Sequence, residues 1–198
     1  MPKPCAWDIM IYVYKDSAPL PRSLRLAACA RRYARWRGIL AGDFTVATAP
    51  GGKPYFPHEP ALHFSVSHSG EYWAVAFSGQ PLGLDIQRYE ERDQLALAKR
   101  WYHPEEYAAV KKNGPACFFD IWSAKESLVK CSGEGVSSSF SSFCVVENGE
   151  IAPISSGWQI KPLSILDGYA ACLCGKKLGQ VYVVRAAPAR GQMLEDRG

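Results

Sequence analysis

The sequence predicts an α+β fold of two pseudo-symmetric α/β halves, each a small, mainly antiparallel sheet packed on a long helix, with a ligand cleft between the halves. Three observations lead to it. Two short apolar strands stand between glycines, GEYWAVAFSG at Gly70 to Gly79 and GYAACLCG at Gly168 to Gly175. A segment of helical periodicity precedes each of them, Arg22 to Leu40 in one case and Phe118 to Lys130 in the other. The other apolar runs are short and bounded by Gly, Pro and Asn, as strands and their turns are. The joint falls near residues 86 to 90, giving halves 1–86 and 87–185 and a tail, 186–198, that lacks periodicity and reads as disordered.

Taken in order, Trp7 to Tyr14 alternates as a strand and Pro19 to Pro21 bounds a turn. From Arg22 to Leu40 the apolar positions mix with Arg22, Arg25, Arg31, Arg32, Arg35 and Arg37, a helix with an arginine-rich side. Such a side is ordinarily just solvated, although guanidinium also suits a phosphate or an acidic protein. Pro50-Gly-Gly-Lys-Pro54 reads as a loop with Lys53 at its tip, either a plain turn or a close approach to a ligand. His63 to Ser67 alternates, with Phe64 and Val66 on one face and Ser65 and Ser67 on the other. Ser67-His68-Ser69-Gly70 then turns into the apolar strand Tyr72 to Phe77, and its serine and histidine fit phosphate binding and a hydrogen-bonded turn equally well.

In Leu82 to Gln87, Leu82, Leu84 and Ile86 face a core while Gly83, Asp85 and Gln87 take the other side. Asp85 is a candidate hard-cation ligand, Gln87 adds a neutral oxygen, and Glu126 is the candidate second carboxylate. Glu90 to Trp101 reads as helical, and His103-Pro-Glu-Glu106 starts another helix with Pro104 at its first position. Cys131 to Ser139 reads as a loop able to form a flap or a partner-binding edge. Strands are expected at Phe140 to Val146, with a hairpin turn at Asn148-Gly149, and at Tyr169 to Cys174 and Val181 to Arg185.

Phe118 to Lys130 organises the rest. At 100° per residue, Phe118, Ile121, Trp122, Leu128 and Val129 form one apolar arc with Lys125 in its middle. Glu126 and Lys130 share the neighbouring flank, and Asp120, Ser123, Ala124 and Ser127 make up the face opposite the core. An ammonium on that arc needs an anion, since an unpaired buried charge is expensive, and a phosphate with its metal is the expected partner. The plainer alternative has Lys125 snorkelling to water, and Glu126 with Lys130 a surface pair worth a few tenths of a kcal/mol.

Composition narrows the function. A net charge of +4 with no long Lys/Arg block argues against a duplex nucleic-acid binder, and it suits an acidic partner. The seven cysteines are odd in number and irregular in spacing, which points to reduced thiols in the cytoplasm, and no metal-type spacing for zinc is present. No signal-type segment and no apolar run of membrane-spanning length is expected.

In order along the chain, GGKPYF (Gly51 to Phe56), FSVSHSGEYWAVAFS (Phe64 to Ser78), LGLDIQ (Leu82 to Gln87) and WSAKESLVKCSGEG (Trp122 to Gly135) resemble the 4'-phosphopantetheinyl transferase superfamily. The likeness is to the monomeric two-half type that activates carrier proteins of peptide and polyketide synthases. It implies transfer of the phosphopantetheine arm of coenzyme A to a serine of an acidic acyl or peptidyl carrier protein, with Mg²⁺ as cofactor and adenosine 3',5'-bisphosphate as the other product. It also implies that Lys53, Ser67 and His68 hold coenzyme A phosphates, that Asp85 and Glu126 bind the metal, and that Lys125 and Lys130 contact the pyrophosphate. Arg22 and Arg25 would meet the adenosine end. Glutamate at the position of Glu106 recurs in the family without an assigned role. Gln87 stands where many members carry a second acidic residue, so an amide oxygen or water would replace a charged ligand there. Within this reading Glu126 takes the serine proton and Lys130 stabilises or protonates the leaving phosphate. The competing reading is a degenerate, non-catalytic coenzyme A or phosphate-binding module. A nucleic-acid binder using the Arg22 to Arg37 side has less support.

Overall fold

The structure, a computed structural model, describes residues 4–17, 20–40, 42–133 and 140–185. Strand β1 (Ile9–Lys15) leads into helix α1 (Arg22–Arg37), and the short strands β2 (Ala47–Thr48) and β3 (Pro54–Tyr55) follow. Next come β4 (His63–Ser69), β5 (Tyr72–Ser78) and β6 (Leu82–Arg88), then α2 (Gln94–Trp101), α3 (Pro104–Asn113) and α4 (Pro115–Ser132). A 3-10 turn, Phe140–Ser142, precedes β7 (Val146–Glu147), β8 (Glu150–Ile151), β9 (Ile154–Ser155), β10 (Trp158–Pro162), β11 (Tyr169–Gly175) and β12 (Val181–Arg185).

Two four-stranded sheets result, in the orders β12-β1-β5-β4 and β6-β11-β10-β9. Every pairing within them is antiparallel except that of β12 with β1, which is parallel. The period-two pattern of the strands dictates the layers. On β1 and β5, Met10, Tyr12, Trp73, Val75 and Phe77 pack under α1 with Leu26, Ala30 and Tyr33. The alternate residues Ile9, Ile11, Val13, Ala74 and Ala76 turn the other way and meet Leu82, Leu84, Ile86, Ala171 and Leu173 of the second sheet. The far face of that sheet, with Ala170, Cys172 and Cys174, receives Ile121, Ala124, Leu128 and Cys131 of α4. The α+β class with a helix on each sheet is therefore as expected, and the sheets are stacked between the two helices.

Chain order does not keep the two layers apart, however. The expected boundary at residue 86 falls inside β6, which belongs wholly to the second sheet, while β12 crosses back to the first. The physical reason is the free edge of β1, whose unpaired N–H and C=O groups β12 covers. Other departures are local. α4 begins at Pro115, a residue suited to the first helical turn. α2 begins at Gln94, where Asp93 caps it by accepting from the Ala96 N–H at 3.0 Å. The strand expected over Phe140 to Val146 is a 3-10 turn followed by the two residues of β7, which pair with β8 around Asn148 and Gly149, both at positive φ. β9 and β10 were not expected. Pro19 in the first turn, residues 134–139 of the expected loop and the tail beyond Arg185 lie outside the described residues, and Cys131 and Ser132, expected to open that loop, are the last residues of α4, which Gly133 ends in a left-handed conformation. No helix among the described residues is long and apolar enough to cross a membrane. All seven cysteines are free thiols, and Cys172 and Cys174 act as small apolar filler beneath α4.

Gly83 sets how near α4 comes to the sheet. A Cβ there would fall inside the contact distance of the Ser127 carbonyl oxygen and 2.7 Å from the Cys131 nitrogen, both backbone atoms of α4. Gly83→Ala should therefore push α4 off β6, costing about 3 kcal/mol and lowering the melting temperature by roughly 6–12 °C for a chain of this size. A thermal melt followed by circular dichroism checks it, and an unchanged transition would mean that α4 moves aside at no cost.

Candidate active site

Because the helix lies this close, the polar residue two positions along β6 is enclosed. Asp85 is only 4% exposed, and its own backbone carbonyl accepts from Ser123 Oγ of α4 at 3.2 Å. Its side-chain oxygens differ. Oδ1 accepts from Ser67 Oγ at 2.8 Å and from Lys130 Nζ at 2.7 Å. Oδ2 is buried without a hydrogen-bond partner. An orphaned buried carboxylate oxygen is costly to keep, and it is a place for an ordered water or a cation. Burial pushes the Asp85 carboxyl above the usual range, and Lys130 and Ser67 draw it back.

Glu126, half-buried one turn before Lys130 on α4, is also pushed up, first by burial and then by the charge of Asp85, with Lys130 opposing. The two carboxylates thus feel each other. Gln87 is half-buried on the same face of β6 as Asp85. Two carboxylates and an amide oxygen are hard donors, and the bare Oδ2 offers a single oxygen, which fits Mg²⁺ better than a softer ion. Asp85 and Glu126 would hold such an ion, with Gln87 or water completing the set.

Ser67 does not face outward to a phosphate. From Ser65 onward every second residue of β4 is a serine whose hydroxyl accepts a β6 amide: Leu84 N–H donates to Ser65 Oγ at 3.0 Å, Ile86 N–H to Ser67 Oγ at 3.1 Å and Arg88 N–H to Ser69 Oγ at 3.0 Å. This row of hydroxyls stands in for a backbone ladder and joins the edges of the two sheets. The alternation of Ser65 and Ser67 was legible, but their partners are amides and Asp85. His68 lies on the opposite face of β4, exposed, so the two side chains cannot grip one phosphate together.

The expected phosphate ligand Lys53 is also differently placed. Its ammonium donates to the carbonyls of Leu82 at 3.1 Å and Cys131 at 3.2 Å, pinning the loop to the start of β6 and the end of α4. Burial lowers its pKa. Lys53 thus reaches inward, its ammonium shared between a carbonyl of the first residue of β6 and one in the last turn of α4, where a cation is favoured by the helix dipole.

Lys125 requires the clearest correction. It is fully buried, as the apolar arc implies, but its anion is Glu106: Nζ donates to both carboxylate oxygens at 2.7 Å and to the Phe143 carbonyl at 2.6 Å. Glu106 also accepts from the N–H groups of Val145 at 2.8 Å and His103 at 3.0 Å. All three ammonium protons are thereby used inside the protein, leaving none for a pyrophosphate. Sequence reasoning noticed Glu106 without a role, although Glu106, Ala109 and Val110 at positions i, i+3 and i+4 already mark it as inward-facing on α3.

Arg22 and Arg25 gather around Asp16 at the end of β1. Arg22 is paired with it through both Nε, at 3.1 Å, and Nη2. Arg25 is buried between the rings of Tyr14 and Trp73, at 5.6 and 5.2 Å, with Nη2 on the Leu20 carbonyl at 3.0 Å and Nη1 3.6 Å from Asp16. Arg22 and His68 remain open to an anion, whereas Arg25 is a structural cation. The hydrogen bond from Arg22 holds the Asp16 carboxyl below its ordinary range, despite partial burial, with Arg25 and His68 adding to the effect.

A buried aspartate and a half-buried glutamate beside a lysine, on a strand and helix that a glycine lets approach closely, are groups suited to a cation and its phosphate. Residues 81–174 match the model of the 4'-phosphopantetheinyl transferase superfamily, a span that contains Asp85, Glu106, Glu126 and Lys130. The chain is similar to 4'-phosphopantetheinyl transferase Sfp of Bacillus subtilis (strain 168), 34% identical over 142 residues that cover 67% of this chain and 63% of that protein. It is also similar to 4'-phosphopantetheinyl transferase gsp of Aneurinibacillus migulanus, 30% identical over 132 residues, 62% of this chain and 54% of that one. A third relative is 4'-phosphopantetheinyl transferase AcpT of Salmonella typhi, 35% identical over 88 residues, 41% and 46% of the two chains. The match spans less than two thirds of each relative's length. The chain belongs to the 4'-phosphopantetheinyl transferase superfamily.

Proposed function

We propose that this protein transfers the 4'-phosphopantetheine arm of coenzyme A to a serine of an apo acyl or peptidyl carrier protein, with Mg²⁺, releasing adenosine 3',5'-bisphosphate. The observation that carries the reading is the bare, buried Oδ2 of Asp85 in a site shared with Glu126 and Lys130. A bound Mg²⁺ supplies neutralisation of charge on the pyrophosphate. The remaining work falls to side chains. Glu126 accepts the proton of the carrier serine, whose oxygen forms a bond to the pantetheine-bearing phosphorus as the bond from that phosphorus to the bridging pyrophosphate oxygen breaks. Lys130, at the end of α4, stabilises or protonates the oxygen that leaves with adenosine 3',5'-bisphosphate. Arg22 and His68 are the remaining candidates for the adenosine and phosphate end.

An acidic partner agrees with the net charge of +4 and with Arg31, Arg32 and Arg35 exposed on α1. Free thiols throughout suit a reducing, cytoplasmic setting, and two halves in one chain suit a monomer. The deciding experiment incubates the protein with coenzyme A, Mg²⁺ and an apo carrier protein and weighs the carrier by mass spectrometry. The expected result is a gain of one phosphopantetheine, lost when Mg²⁺ is chelated. Tight coenzyme A binding with no gain would leave the non-catalytic module, for which Gln87 in place of an acidic ligand is the motive.

A further inference from the structure

We infer that Ser67 is a positioning residue for the metal ligand Asp85, selecting which of its two oxygens the protein offers to a hard divalent cation; this rests on the reading of Asp85 proposed above. The superfamily resemblance suggests a phosphate ligand at this position, and the geometry points elsewhere. Ser67 is 4% exposed. Its oxygen accepts the Ile86 amide at 3.1 Å, and that bond orients the hydroxyl so that its one proton goes to Asp85 Oδ1 at 2.8 Å. Lys130 Nζ lies 3.2 Å from the same oxygen and 2.7 Å from Oδ1. With two donors on Oδ1 and none on Oδ2, the carboxylate cannot rotate without breaking both bonds, and its free oxygen stays free. A serine hydroxyl has one proton, and this one is committed, so Ser67 has none to give a phosphate.

The neighbouring serines provide the control. Ser65 accepts the Leu84 amide at 3.0 Å just as Ser67 accepts that of Ile86, so the two make the same seam, but only Ser67 reaches Asp85. Removing a group that orients a ligand typically costs about ten- to a hundredfold in metal affinity. The test titrates Mn²⁺ into the full chain and follows bound metal by electron paramagnetic resonance, with the KM for coenzyme A measured in parallel at a metal concentration that saturates every variant. Ser67→Ala should weaken Mn²⁺ binding about tenfold and leave the KM for coenzyme A within about twofold. Ser67→Thr, which restores the hydroxyl, should recover most of the affinity. Ser65→Ala should melt lower, as Ser67→Ala does, and bind Mn²⁺ normally.

A raised KM for coenzyme A with unchanged Mn²⁺ affinity in Ser67→Ala would overturn the inference in favour of a phosphate ligand. An equal Mn²⁺ loss in Ser65→Ala would reduce both serines to the seam alone. If the unsubstituted chain binds no Mn²⁺ at all, the metal reading of Asp85 itself fails, and the inference with it.

Discussion

Glu126→Ala should reduce transfer to the carrier protein by about a thousandfold, the range expected for losing a general base, while the protein melts within a few degrees of its parent. Both parts follow from the environment of the carboxylate. Burial and the charge of Asp85 make ionised Glu126 expensive in the folded state, so its removal relieves an unfavourable term as it deletes the base. Before an ion is bound, the same shift fixes a pH dependence: the carboxyl stays protonated at pH values where an ordinary glutamate is already ionised, and a protonated carboxyl does not ligate a cation. At sub-saturating Mg²⁺ the rate should therefore climb with pH through a region above the ordinary carboxylate range and level off once Glu126 has lost its proton, and saturating Mg²⁺ should move that rise to lower pH. Steady-state kcat/KM against pH, with a mass-spectrometric count of holo-carrier, measures both. A Glu126→Ala variant with near-parental turnover would remove Glu126 from the chemistry.

Glu106→Ala carries the largest expected effect on stability. It strands the Lys125 ammonium among apolar side chains and leaves the Val145 and His103 amides without their acceptor. Breaking one side of a buried ion pair costs about 3–5 kcal/mol, which in a chain of this size lowers the melting temperature by roughly 10 °C. Urea denaturation of Glu106→Ala, Lys125→Met and the double variant separates the contributions. The double variant should regain part of the loss, because no lone charge remains, and should stay below the parent, because the two amides are still orphaned. A Glu106→Ala variant as stable as the parent would mean that water reaches Lys125 in place of Glu106.

How far the sequence could be read depended on whether a signal was local. The alternation of β4 and β6 and the inward place of Lys125 are set by neighbours two to four residues away, and the structure agrees with them. The apolar arc of α4 is only part of its packed surface, because Ser123, Ala124 and Ser127, which the period puts on the face opposite the core, are small enough to lie buried against the second sheet. What failed was the choice of partner across the fold. Lys125 needed an anion, and a phosphate brought from outside satisfies that demand as well as a carboxylate nineteen positions back in the chain. Ser65 and Ser67 were placed on one face, but only the tertiary register reveals β6 amides opposite them. Lys53 reads as a loop tip because GGKP marks a turn and cannot say that the carbonyls of Leu82 and Cys131 lie beneath it. β9 and β10 escaped notice since two- and five-residue strands near Gly157 and Pro162 have too few alternations to register.

The crossing of β12 to lie beside β1 has a consequence for how the molecule comes into being. Residues 9–13 wait for residues 181–185, more than 170 positions away in the chain, before the outermost row of backbone bonds on that sheet can close. Such distant closure slows assembly, and it makes the two layers interdependent: a ribosome that has emitted only the first 86 residues has released a sheet missing one margin and lacking β6's full length to cover its inner side. Severing the chain midway would yield two incomplete fragments, so the architecture favours inheritance of the pair as a unit over recombination of its parts.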